Sequence, residues 1–163
     1  MNPFEIKIIG KPQLWLIEAA AEIGIDLAGL SHEITNYFVS HSMKKHGNEK
    51  TERSRGQAEI TPADIDRIPD IVKNPDFAII GIKRKNETLI SYSKKYENNT
   101  AIYYEEVLNS SKNKALRSKT IYKKMGTVSK ETFLKIVSSN AHTDISQIKI
   151  VVGAGGNPGG EAD

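Results

Sequence analysis

Cysteine is absent from the 163 residues, which removes disulfide frameworks, cysteine-based zinc sites, iron-sulfur clusters and thiol catalysis from consideration. The chain can therefore work in either redox compartment. Long apolar runs are absent too: nowhere do ~18 apolar residues follow one another, so no segment reads as a bilayer span. At the start, Glu5, Lys7, Lys11 and Glu18 interrupt MNPFEIKIIGKPQLWLIEAA, so no export signal is expected. These absences point to a soluble protein, expected in the cytoplasm. Hydrophobic residues make up 38% and charged residues 26%, apolar content enough for one domain with a real core at this length. Neither sign of charge dominates: 23 Lys and Arg stand against 20 Asp and Glu, a net +3, so clustering decides what the excess means.

Residues 12–23, PQLWLIEAAAEI, set a proline in a first helical turn ahead of helix formers, with Gly24 as a stop. A second helix is predicted from Ser31, as its N-cap, to Gly47, with Ile34, Tyr37, Phe38 and His41 on one buried face. The stretch 47–59 is dense in charge and has no large apolar side chain, so an exposed loop is expected. Thr61, Pro62 and Asp64 fit the N-cap, N1 and N3 positions of a short helix carrying Ile65, Ile68 and Ile71 or Val72, kinked or divided by Pro69. From Phe77 the pattern becomes strand-like over 77–83, 87–93, 101–108 and 114–124. The links between these strands are short, and a parallel crossover needs a dozen or more residues, so the neighbours are antiparallel. A further helix at 129–140 turns Phe133, Ile136 and Val137 inward, and a glycine-rich tail follows. The predicted fold class is α+β: N-terminal helices packed on one face of a four-stranded antiparallel sheet, with a C-terminal helix and a flexible tail.

Six cations, Lys112, Lys114, Arg117, Lys119, Lys123 and Lys124, fall between Ser111 and Lys124 without an acid, exceeding the excess of the whole chain. In a regular strand Arg117, Lys119 and Lys123 share one face while Leu116, Thr120 and Tyr122 share the other. Such a strand is either a solvated edge guarded by lysines or, as the clustering favours, a surface for RNA phosphates. Cleaving RNA without a metal needs a base for the 2′-OH and an acid for the leaving 5′-oxygen, and imidazole titrates in the useful range. On an unbroken helix His41 and His46 are ~140° apart, so both cannot aim at one point. His41 falls on the Tyr37 and Phe38 face, where a core histidine is as natural as a catalytic one. His46, exposed at the helix end beside a charged loop, is the first candidate. His32 and His142 read as surface residues. No histidine pair has the i, i+4 spacing of a zinc helix and no tight acidic cluster suggests magnesium, so neither metal nor cofactor is expected. The glycines after IKIVV are followed by too few residues to form a dinucleotide-binding helix.

Several separated motifs then run in order: His41 and His46-Gly47, Gly56-Gln57, Ile60-Thr61, Asp64-Ile65, Ile68-Pro69, Asn74-Pro75-Asp76, and Thr120 with Tyr122-Lys123. Together with YYEEV they resemble a phage-type member of the barnase/EndoU/colicin/RelE-like nuclease superfamily, over roughly Gly24 to Lys124. The resemblance implies helices followed by a four-stranded antiparallel sheet, and a metal-independent endoribonuclease found as a module of phage and mobile-element proteins, often as a toxin or effector. It divides the chain into an N-terminal extension at 1–23, a nuclease domain at 24–124, and a C-terminal helix and tail at 125–163. The expected site has His46 or His41 activating the 2′-OH for in-line attack, leaving a 2′,3′-cyclic phosphate. Lys123, Tyr122 and Thr120 stand at the reacting phosphate, and Arg117, Lys119, Lys114 and Arg55 hold the substrate. Thr120 and Tyr122 lie opposite Lys123 in a regular strand, so a bulge re-aims one set or one set is structural. Expected partners are RNA and an antitoxin or immunity protein, with no membrane, and the place of action is the cytoplasm, including that of a target cell. The competing classes are a non-catalytic RNA- or protein-binding module and a degenerate structural domain.

Overall fold

The computed structural model describes residues 6–48, 50, 57–97, 99–109, 115–126, 129–138 and 147–153. Its elements follow in the order β1 (Ile6–Gly10), α1 (Leu14–Ala21), β2 (His32–Thr35), α2 (Asn36–His46), β3 (Gln57–Ala58), α3 (Pro62–Asp66) and α4 (Ile68–Lys73). Then come β4 (Phe77–Arg84), β5 (Glu87–Tyr96), β6 (Thr100–Asn109), β7 (Ala115–Met125), α5 (Lys130–Ser138) and β8 (Lys149–Val152). The fold is α+β. Strands β4 to β7 form the expected antiparallel meander, with Tyr104 of β6 standing between Tyr92 of β5 and Ile121 of β7. The sheet is larger than the expected four strands, however: eight strands, ordered β1-β2-β7-β6-β5-β4-β8, with β3 also on β7. It is also mixed, because β2 pairs with β7 in parallel.

The added strands escape a pattern reading because they are short. Ser31 does not cap a helix; His32 to Thr35 are extended, with His32 and Ile34 buried and Glu33 and Thr35 half-buried in strand alternation. The cap of α2 is Thr35, whose hydroxyl accepts the Phe38 N–H at 3.0 Å. His32, expected on the surface, is 1% exposed. At Thr61 the expected start holds: its hydroxyl accepts the Asp64 N–H and the Asp64 carboxylate accepts the Thr61 N–H, a capping box. The helical segment divides at Arg67, ahead of Pro69.

Two cores lie on the two faces of the sheet. The inner one joins Leu16 and Ala20 of α1, Phe38 of α2, and Ile68 and Ile71 of α4 to Ile80, Ile90, Tyr92, Ile102, Tyr104 and Ile121. The outer one joins Phe133 of α5 to Ile79, Ile82, Leu89, Ala101 and Tyr103. The helices therefore do not share one face as expected, because Phe133 carries α5 to the side opposite the N-terminal helices. No helix among the described residues is long and apolar enough to cross a membrane.

One glycine is fixed by geometry. Gly81 sits at the bulge of β4 with φ +95°, and a Cβ there would lie 2.9 Å from Ile23 Cδ1 and 3.0 Å from the Gln147 carbonyl oxygen. Gly81→Ala is expected to lower stability by about 1–3 kcal/mol through strain and crowding, read from urea unfolding; an unchanged midpoint would contradict this.

Candidate active site

Glu105 and Glu106 are consecutive in β6, and strand alternation sends them to opposite faces. Glu106 turns inward, where it is wholly buried, with one carboxylate oxygen 2.6 Å from His32 Nδ1 and the other accepting the Tyr92 hydroxyl at 2.7 Å. Glu105 turns outward and is 6% exposed. Arg84 grips it with two bonds, of 3.0 and 3.3 Å, and the Ser91 hydroxyl adds a third at 3.0 Å. A charge-assisted fork of this kind fixes the orientation of a carboxylate as well as its charge.

Opposite Glu105, β7 contains the bulge. Glu105 pairs with Thr120 but Glu106 pairs with Ser118, leaving Lys119 as the additional residue. Arg117, Thr120 and Tyr122 therefore face outward, and Leu116, Ser118, Ile121 and Lys123 face inward. The expected grouping of Arg117 with Lys123 is thereby corrected. Tyr122 stacks on Tyr103 at 4.9 Å with the rings 2° from parallel, and Tyr103 packs in turn on Phe133. Burial, with the Glu105 charge adding to it, raises the Tyr122 hydroxyl well above the ordinary phenol value. Tyr122 is consequently protonated at physiological pH and offers its hydroxyl as a hydrogen-bond donor.

His46 reaches this face from another element. It ends α2, and its carbonyl accepts the Ile60 N–H at 2.6 Å, which ties the helix end to the segment following β3. Its ring lies 6.1 Å from that of Tyr122. A cleft of about 310 Å³ opens where His46, Gln57, Arg84, Glu105, Thr120 and Tyr122 converge, with Lys45 and Ile136 completing its wall. Chemically, this places a carboxylate, an imidazole, two cations and two hydroxyls around one space. Among the described residues, no group of three or more His, Asp or Glu is gathered as a metal site would need.

Of the residues singled out in the sequence, the cleft brings together His46, Thr120 and Tyr122. His46 is 7% exposed, contrary to the exposed position expected for it, whereas His41, expected on the buried face, is exposed and stacks on Tyr37. The helical phase explains the exchange: Phe38, Ser42 and His46 form the buried stripe. Lys123 lies on the far side of the sheet, 2.8 Å from the capping Asp64. Arg117 pairs with Glu33 and Lys119 with Glu87, and neither lines the cleft. Lys114, Arg55 and His142 lie outside the described residues. Sequence reasoning missed Glu105, Arg84, Gln57 and Lys45. For Glu105 a signal was present, since two adjacent acids inside an apolar strand must place one carboxylate on each face.

An α+β sheet domain with an acid, an imidazole and a guanidinium gathered in a cleft on its outer face is a scaffold suited to acid–base chemistry. The model of the phage-Barnase-EndoU-ColicinE5/D-RelE like nuclease3 family matches residues 10–131. The chain belongs to this family of phage-type nuclease domains. No curated protein and no solved structure matches it.

Proposed function

We propose that the chain is a metal-independent endoribonuclease that opens RNA by 2′-OH attack and leaves a 2′,3′-cyclic phosphate. The observation that carries this reading is the convergence of Glu105, held by Arg84 and Ser91, with His46 in one cleft. Glu105 takes the 2′-OH proton as the 2′-oxygen bonds to phosphorus. The bond from phosphorus to the 5′-oxygen breaks, and protonated His46 gives that oxygen its proton. Negative charge gathers on the non-bridging oxygens, beside the cations of Arg84 and Lys45 and the hydroxyls of Thr120 and Tyr122. The base is thus Glu105, where the sequence alone suggested a histidine. Arg117 and Lys119, outside the cleft, are placed to meet phosphates further along the strand. The nuclease would serve as a toxin or effector acting on cytoplasmic RNA, restrained by an antitoxin or immunity protein.

The test is incubation of single-stranded RNA with the protein in excess EDTA. Cleavage to cyclic-phosphate ends is expected. Binding without cleavage would make the chain a binding module, and activity that disappears in EDTA and returns with magnesium would overturn the mechanism.

A further inference from the structure

We propose that the outer flank of α2 is a second nucleotide subsite, where Tyr37 and His41 stack a base of single-stranded RNA that leaves the cleft past Lys45. The inference rests on the ribonuclease reading and extends it to nucleotides flanking the scissile phosphate.

Tyr37, His41 and Lys45 are spaced i, i+4, i+8 along α2, so they stand one above another on the same side of the helix. Next to them runs the buried stripe of Phe38, Ser42 and His46. On the far side of that stripe, Val39 and Met43 pack against the inner core. The Tyr37 row is therefore turned away from the inner core, and Lys45 at its end belongs to the cleft wall as well.

The helix itself lies along the open edge of β7. Strand β2 covers that edge at Leu116 and Arg117, β3 covers it at Lys123 and Lys124, and α2 follows β2 directly before the chain returns through β3. Arg117 and Thr120, facing outward, floor the same side.

Tyr37 is 59% exposed, so the core does not account for it. Its ring lies 5.7 Å from that of His41 and 13° from parallel, which makes a flat aromatic platform in water. Base-on-aromatic stacking tolerates any sequence because every base has a π-face, and adjacent cations hold the backbone. Lys44 and Lys45 supply those cations in the last turn of the helix. From His46 back to Tyr37 the helix rises ~13 Å, within reach of the next nucleotides of an extended strand. Continuity with the cleft and this charge favour RNA over a protein partner as the occupant.

The experiment measures kcat and KM on oligoribonucleotides of two, four and six nucleotides, extended separately at the 5′ and 3′ ends. For the unaltered protein KM is expected to fall with length in one of the two directions. Tyr37→Ala is expected to raise the hexanucleotide KM by about 10-fold with little change in kcat, and Tyr37→Trp to restore it. Binding of a 2′-O-methyl hexanucleotide, which has no 2′-OH to react, is followed in parallel by fluorescence anisotropy. If nothing is cleaved yet Tyr37→Ala weakens this binding, the subsite stands and the ribonuclease reading falls. If KM and anisotropy are both the same in Tyr37→Ala as in the unaltered protein, the subsite is overturned and the flank is left to some other partner.

Discussion

Glu105→Gln is expected to slow single-turnover RNA cleavage by about 10²–10⁴, the usual worth of a positioned base, and to cost about 1–3 kcal/mol of stability, because the Arg84 guanidinium loses its counter-charge. The carboxamide keeps the shape of the side chain and an oxygen for Arg84 and Ser91. What it cannot do is take a proton. His46→Ala should fall in the same range and lose about 1 kcal/mol or more of stability, because the ring is buried against Tyr122. The two losses should not add in the double variant, since acid and base serve one transition state. His41→Ala, on the exposed flank, is the contrasting case and should turn over a dinucleotide at an undiminished kcat. Full activity in Glu105→Gln would move the base elsewhere.

The largest effect on stability is expected one residue further along. Glu106→Ala removes the shared acceptor of the His32 ring and the Tyr92 hydroxyl from a site closed to water. Leaving two buried polar groups without their acceptor costs about 1–3 kcal/mol each, a large part of the 5–15 kcal/mol that a domain commonly has. Glu106→Gln should cost less, about 1–3 kcal/mol, because one oxygen still accepts. Denaturant unfolding measures both, and a loss below ~1 kcal/mol for Glu106→Ala would mean that the network is idle. Of these nearest neighbours in sequence, Glu105 is thus expected to govern catalysis, whereas Glu106 governs stability alone.

The meander was legible because each of its strands is long enough to show its pattern and each link is too short for anything except a hairpin. The same holds for Thr61, whose partner in the capping box sits three residues away. Reading failed where the determinant was distant. The strand character of His32 to Thr35 comes from pairing with Ile6 to Gly10 on one side and with Leu116 and Arg117 on the other, and nothing local announces either. The phase of α2 was misjudged for the same reason. Its cap is set by where β2 ends, and a shift of the start redistributes His41 and His46 between water and protein. In β7 the expectation that a bulge re-aims one set was the informative one, although composition could not say which set would face the cleft. The cluster of cations suggested one binding face, but the bulge and the ion pairs to Glu33, Glu87 and Asp64 disperse it.

The order in which the cleft's parts occur along the chain has a consequence for how the protein is made. Its lining begins at Lys45 and is not complete until Ile136, and the Tyr122 ring against which His46 packs arrives only with β7. During synthesis domains fold as units when their last required segment emerges. A nascent chain that has reached β6 holds Glu105 and His46, yet lacks Thr120, Tyr122 and the strand that brings the histidine across. On the proposed mechanism, a fragment that stops short of residue 120 is expected to be inert. On the proposed ribonuclease reading, activity against RNA, that of the ribosome included, therefore waits until β7 has been made.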